Sequence, residues 1–373
     1  MRVTDVGPGP LFPDDGPFGA RMARRAKGLT IELGGFVALT VLFPVVIAGA
    51  AVTDLALWLL RRKPWTTVRL VAFAWLFLLT ELRSFAALAA IYAGTGGPIG
   101  TRRGSLRRRR LIYDLRIHWC RSHLGAIRRL FGVTIEVDGI EEAGPGPVLV
   151  FIRHASIIDN TLPDALVGHA HGLGLRFVLK RELEMLTLFD IGGRWVPTVF
   201  VRRGSGATDA ELVKVRGLAD RLGRGEAILV YPEGTRFTEK KLARAKEVVA
   251  ERQPHLAPLA ERLQNVLPPR LGGPLALLED ARGVDVVFCA HVGLDGFEYI
   301  SDIWRGGLVG QAIRVRFWRV PAADVPAGDE ARTEWLYARW QEVDDWVGEQ
   351  LGRARPAPAS AGAPARPGTP ARS

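Results

Sequence analysis

Pro147-Val148-Leu149-Val150-Phe151-Ile152-Arg153-His154-Ala155-Ser156-Ile157-Ile158-Asp159 decides the fold of this 373-residue chain. Its first six residues are uninterruptedly apolar. A strand that is covered on both faces reads this way, whereas a half-exposed strand alternates. Polar residues follow the run at once. Outward from it the same grammar repeats. Val133-Thr-Ile-Glu-Val-Asp138 alternates with period two, and apolar runs recur at 175–179, 196–201, 227–231, 284–290 and 313–318. Helical patterns fill the gaps at 207–222 and 238–252. A final amphipathic helix is expected over 330–351, carrying Trp335, Trp340 and Trp346. Strands alternating with helices predict an α/β domain over 132–352, a mostly parallel central sheet flanked by helices.

The chain before this domain is of another kind. Residues 28–60 are apolar over some twenty residues between Glu32 and Asp54, long enough to cross a bilayer core as a kinked helix through Pro44. A second apolar stretch covers 70–93 but contains Glu81 and Arg83, which need partners at bilayer depth. The expectation is a hydrophobic helical hairpin over 28–100, either transmembrane, re-entrant or, least favoured, a soluble helical subdomain. Basic residues flank it on both sides, at Arg21, Arg24, Arg25 and Lys27 and again at Arg102, Arg103 and Arg107 to Arg110. The positive-inside tendency then puts both ends, and the α/β domain, on the cytoplasmic side of the inner membrane. Residues 101–131 are expected as a basic interfacial helix resting on anionic headgroups, with a solvated helix packed on the domain as the alternative. Residues 1–27 and 353–373, rich in Gly, Pro or Ala, are expected to be flexible.

The formal net charge is +11 and the pI about 10.2, which points to an anionic partner. Beside an apolar hairpin the favoured partner is membrane phospholipid, and nucleic acid is not expected. The two cysteines, Cys120 and Cys289, are too few and too far apart for a disulfide framework or a cysteine metal site, so no metal is implied.

Three polar clusters follow predicted strands, where open α/β sheets place their sites. In the first, His154 is followed five residues later by Asp159. A carboxylate in the next helical turn would hold the imidazole in one tautomer and leave the other nitrogen as a general base. Taken alone, a helix cap beside a structural histidine explains the pair equally well. The second cluster, Phe200-Val201-Arg202-Arg203-Gly204, offers guanidinium groups to an anion. The third, Tyr231-Pro232-Glu233-Gly234-Thr235-Arg236, adds a further arginine and hydroxyl, with Glu233 placed to orient an arginine or bind a substrate hydroxyl.

Taken together, in this order and spacing, the clusters resemble the 1-acyl-sn-glycerol-3-phosphate acyltransferase family over roughly residues 130–295. That resemblance implies the glycerolipid acyltransferase fold. It implies a His-x4-Asp base at His154 and Asp159, and glycerol-phosphate binding by Arg203 with Arg202 and by Glu233, Gly234, Thr235 and Arg236. Lys180 in Val178-Leu-Lys-Arg-Glu-Leu183 and Arg270 in Leu267-Pro-Pro-Arg-Leu-Gly-Gly273 look like acceptor-lining residues of its lysophospholipid branch. The chain departs from the pattern at Arg153, where Asn or Ser commonly precedes the His, and at Arg202, where Asp or Asn is usual. The implied activity is transfer of an acyl group from acyl-CoA or acyl carrier protein to a lysophosphatidate or related lysophospholipid hydroxyl, with no cofactor. A lipid or thioester hydrolase with Ser156 as nucleophile, and a non-catalytic membrane lipid-binding protein, are the alternatives.

Overall fold

The computed structural model describes residues 14, 16–97, 101–201 and 209–352. Four long helices come first: α1 (Phe18–Val41), α2 (Phe43–Arg61), α3 (Thr67–Gly94) and α4 (Arg102–Phe131). Seven strands follow: β1 (Thr134–Asp138), β2 (Val148–Ile152), β3 (Gly174–Lys180), β4 (Thr198–Val201), β5 (Glu226–Val230), β6 (Asp285–Val292) and β7 (Ala312–Val320). Each overlaps a run expected from sequence. They form one sheet in the order β1-β7-β6-β2-β5-β3-β4. The five strands from β6 to β4 are mutually parallel, and only the β6–β7 pairing is antiparallel, so β1 and β7 run against the rest. β2 lies at the centre and is buried along its whole length, as its unbroken apolar run requires.

One core lies between the sheet and α4, around Val150, Ile152, Leu175 and Phe131. The other lies under the helix Gly272–Asp280 and the helix Asp329–Gln350, where Trp340 is fully buried and donates its indole N–H to the Leu267 carbonyl at 3.0 Å.

The apolar stretch 28–60 is two helices, not one kinked helix. Pro44 falls in the first turn of α2, where its missing N–H costs no bond, so α1 stops at Val41 and a new helix starts at Phe43. α1 also begins at Phe18, ten residues before the boundary expected from hydropathy. It is held to the domain: Glu32 accepts from the Thr187 N–H and hydroxyl at 2.9 and 2.8 Å, and Arg24 pairs with Asp190. At Gly28 the contact is closer than any side chain allows, since a Cβ there would sit 2.6 Å from the Met185 carbonyl oxygen.

The two helices long and apolar enough to cross a membrane, by length and composition, are α2 and α3. Asp54 on α2 caps α3, accepting the first-turn N–H groups of Thr67 and Val68 at 3.0 and 2.9 Å, which would otherwise be orphaned. Glu81 finds its partner in the Trp119 indole of α4, 2.6 Å away. Both ends of α3 are held by side chains from outside it. At one, Trp304 donates to the Thr67 hydroxyl at 3.1 Å and Lys63 lies 3.6 Å over the Trp304 ring. At the other, Arg108 donates to the Thr95 hydroxyl at 2.8 Å.

α4 packs one face into the protein. Eleven of its residues are buried, among them Arg108, Arg109 and Arg116, and Arg116 is paired with Asp164 at 2.8 Å. A 30-residue helix is about 45 Å long, enough to bury one face between α3 and the sheet while a basic face stays outside. Thr101 caps its start and Gly132, at φ 68°, ends it.

Candidate active site

β2, β5, β3 and β4 are adjacent and parallel, so their carboxyl ends share one edge of the sheet. His154 lies two residues beyond β2, and Glu233 three beyond β5. Lys180 is the last residue of β3, paired with Val201 at the end of β4. The first and third clusters therefore converge, although 82 residues separate His154 from Arg236, and the described start of the second, Phe200 and Val201, ends a strand on the same edge.

His154 Nδ1 lies 3.0 and 3.2 Å from the two carboxylate oxygens of Asp159. Asp159 Oδ2 also accepts the Ala155 and Ser156 N–H groups at 2.7 and 2.8 Å. The aspartate thus caps the turn and orients the imidazole at once, so the capping and catalytic alternatives are one arrangement. Asp159 is fully buried. Burial alone would raise its pKa, but the His154 charge and hydrogen bond, His291 and the Ser156 N–H outweigh it and hold the carboxyl below its ordinary value. With Nδ1 facing a carboxylate, the proton belongs on Nδ1 and the lone pair on Nε2, which has no hydrogen-bond partner among the described residues. The Tyr231 ring centroid lies 4.4 Å from that of the imidazole, tilted by 41°, and its hydroxyl donates to the Asp159 carbonyl at 3.3 Å.

Glu233 sits behind this pair. One carboxylate oxygen accepts the His154 N–H at 2.6 Å, the other the Leu267 N–H at 2.9 Å. Both oxygens are thus committed to backbone, tying the His154 loop to the 265–267 segment. The Phe237 N–H closes the arrangement by donating to the His154 carbonyl at 2.7 Å. Burial pushes the Glu233 carboxyl up to about 8, against the pull of Arg153 and the two N–H groups.

Gly234 has φ +65°, and a Cβ there would meet the Arg270 Cδ at 2.7 Å. Glycine at this position therefore permits both the turn and the passage of the Arg270 side chain across it. Arg270 itself is exposed. Thr235 and Arg236 follow on the same turn, both half-buried. Arg236 Nε and Nη1 are enclosed with no hydrogen-bond partner among the described residues, and its guanidinium lies 5.7 Å from the Tyr299 ring. Arg202 and Arg203 lie outside the described residues.

Arg153, the departure beside the histidine, is engaged within the protein. Fully buried, it donates to the His291 and Asn265 carbonyls at 2.7 and 3.0 Å and pairs with Asp295. His291, on β6, places Nε2 2.9 Å from the Arg153 carbonyl and 3.6 Å from Asp159. Burial and the nearby Arg153 charge lower its pKa, opposed by Asp159 and Asp295. Motif spacing carried no sign of this underpinning. Its one sequence signal is a histidine near the end of the apolar run that starts at Val286. Ser156 is fully buried, donates to the Phe297 carbonyl at 2.9 Å and accepts the Ile158 N–H at 3.1 Å. Among the described residues no group of three His, Cys, Asp or Glu is placed to hold a metal ion.

An open α/β sheet with a buried His–Asp pair and an enclosed arginine at the carboxyl edge of its parallel strands defines a class, and the comparisons name it. Residues 134–260 match the Acyltransferase family, so this chain carries a domain of that family. Over 212 residues it is 30% identical to mouse (Mus musculus) 1-acyl-sn-glycerol-3-phosphate acyltransferase gamma, covering 55% of this chain and 54% of that protein. Over 101 residues it is 37% identical to the lyso-ornithine lipid O-acyltransferase of Pseudomonas aeruginosa, covering 27% of this chain and 35% of the relative. The chain thus spans about a third to a half of the lengths of these curated relatives. The crystal structure of the 1-acyl-sn-glycerophosphate (LPA) acyltransferase PlsC from Thermotoga maritima aligns with 77% of this chain and 99% of its own, at 15% identity and a TM-score of 0.47.

Proposed function

We propose that this chain is an O-acyltransferase that moves a fatty acyl group from a thioester, acyl-CoA or acyl carrier protein, to the hydroxyl of lysophosphatidate or a related lysophospholipid. The observation that carries the proposal is the His154–Asp159 pair, with Nδ1 held by a buried carboxylate and Nε2 unengaged, beside the enclosed guanidinium of Arg236. His154 Nε2 takes the proton of the acceptor hydroxyl as its oxygen attacks the thioester carbonyl. The C–O bond forms, the C–S bond breaks, and the imidazolium returns the proton to the departing sulfur. Asp159 keeps the tautomer and offsets the imidazolium charge without taking the proton. Arg236, with Arg203 and Arg202, pairs with the acceptor phosphate and so sets the hydroxyl in place before attack. Lys180, Thr235 and Arg270 line the approach, and Glu233 fixes the backbone of His154.

The two curated relatives act, by their names, on different acceptors. A phosphate-bearing acceptor is favoured here because Arg236 presents two enclosed donors with no described partner. A hydrolase using Ser156 is disfavoured, since that hydroxyl is buried and engaged at both donor and acceptor.

The α2–α3 hairpin embeds in the cytoplasmic membrane, with the catalytic domain at its cytoplasmic face. Because the α2–α3 connection touches Trp304 of that domain, the hairpin enters and leaves from one side. Incubating the full-length protein in lipid with labelled acyl-CoA or acyl carrier protein and a lysolipid panel tests the proposal. Formation of a diacyl phospholipid from lysophosphatidate or a related lysophospholipid is the expected product. Thioester loss without acceptor would support the hydrolase instead.

A further inference from the structure

A cleft of about 630 Å³ opens between α4, the edge strand β1 and the turn at 165–169. Arg121, Arg128 and Arg129 line it from α4, facing His169 across the opening. No Asp or Glu is among its lining residues. Strand alternation explains this. Ile135 and Val137 of β1 face the cleft, while Glu136 and Asp138 project from the other face and pair with Arg314 and Arg316 at 3.4 and 3.5 Å. The three arginines form no ion pair with a carboxylate among the described residues. The helix dipole accounts for a cation at Arg128 or Arg129, in the last turn of α4, but not for Arg121 in its middle. Arg121 Nη1 lies 2.8 Å from His169 Nδ1. A guanidinium can only donate, so Nδ1 accepts, and the imidazole is left with an N–H donor at Nε2. The cleft therefore has donors on two sides, uncompensated positive charge and an apolar floor of Leu124, Ile135 and Leu166.

We propose that this cleft is a second phosphate-binding site, separate from Arg236, and that it takes the nucleotide end of a CoA thioester. Several guanidinium groups beside an apolar wall suit a ligand with more than one phosphate and a flat base. One segment of chain runs from the His154–Asp159 pair to the cleft. Asp159 and His169 are ten residues apart on a nearly continuous run of helical turns, Ile158–Thr161, Asp164–Gly168 and His169–His171. At the usual rise this is about 15 Å, comparable to the reach of an extended pantetheine arm. The assignment rests on the transfer reaction proposed above, and it selects CoA over a carrier protein as donor.

The test is calorimetric titration of the full-length protein in detergent micelles with CoA and with inorganic pyrophosphate, and a parallel flotation assay with phosphatidylglycerol vesicles. CoA and pyrophosphate should compete. The R121Q/R128Q/R129Q variant should bind CoA at least tenfold more weakly, and R121Q alone, which keeps most of the surface charge, at least threefold more weakly. H154A should bind CoA within twofold of wild type, so loss of acyl transfer and loss of donor binding are read separately. CoA affinity within twofold of wild type in both arginine variants would overturn the assignment. So would loss of vesicle binding alone, which would make the cleft a reader of lipid headgroups.

Discussion

Replacing Asp159 with Asn changes one atom and leaves the shape of the site intact, which makes it an informative perturbation. The carboxylate makes four contacts with three groups: His154 Nδ1 at 3.0 Å from Oδ1 and 3.2 Å from Oδ2, and the Ala155 and Ser156 N–H groups at 2.7 and 2.8 Å from Oδ2. An amide has only one acceptor oxygen. If that oxygen turns to His154, two buried backbone N–H groups face an NH₂ donor, at about 1–3 kcal/mol each. If it stays with the backbone, only the imidazole is mismatched. The second orientation is the cheaper, so the amide NH₂ points at His154 Nδ1 and forces it to accept. The imidazole proton then moves to Nε2, and the lone pair needed for deprotonation is lost. Tautomer reversal in His–Asp pairs costs about 10⁴-fold in kcat, or roughly 5 kcal/mol. We expect a fall of about 10³–10⁴ in the rate of acyl transfer from acyl-CoA to lysophosphatidate, with thermal stability close to wild type. Activity within tenfold of wild type in a folded D159N protein would refute the assigned roles of both residues.

Glu233→Gln should change the pH dependence of stability. The carboxyl is pushed up to about 8 in the folded protein from an ordinary 4.5, so its neutral form is favoured by folding. That contribution is complete below about 4.5 and is lost as pH rises through about 8. Denaturant unfolding should therefore show wild type losing about 1.4 kcal/mol per pH unit relative to E233Q across this window, and a flat difference would contradict it. Arg236→Gln should raise KM for lysophosphatidate at least tenfold, with KM for the thioester little changed, in steady-state kinetics with each substrate varied; the reverse pattern would move the acceptor phosphate elsewhere. A cysteine at Lys63 should react with a membrane-impermeant maleimide from the same side as a cysteine at exposed Glu330, because the α2–α3 connection packs on the catalytic domain. Labelling from opposite sides would mean that the hairpin crosses the bilayer.

The strands were legible in the sequence: the buried parallel ones as apolar runs, as in Val148–Ile152, and the edge strand Thr134–Asp138 by its alternation. Their order was not. Nothing local to Ala312–Val320 says that it and Thr134–Asp138 run against the other five. The split of the first apolar stretch at Pro44 was half visible, as a kink rather than a helix start, because both outcomes remove the same hydrogen bond. At the site, His154, Asp159 and Arg236 could be picked out by motif, since each acts near its own strand end. Glu233 and Arg153 could not be placed, because what they do depends on Leu267, Asn265, His291 and Asp295, more than a hundred residues downstream of Arg153. A buried arginine next to a histidine looks the same in sequence as one poised for a headgroup. The packing of α4 was hidden for a related reason: the basic run Arg107 to Arg110 gives no hint that Arg108 and Arg109 face inward.

The most direct test of the central claim is transfer of a radiolabelled acyl group from acyl-CoA to lysophosphatidate by wild-type protein and His154→Ala, matched for folding and membrane binding. Wild type should form labelled phosphatidate while H154A forms none above background. Label appearing in phosphatidate at a rate near that of wild type with alanine at position 154 would contradict the account.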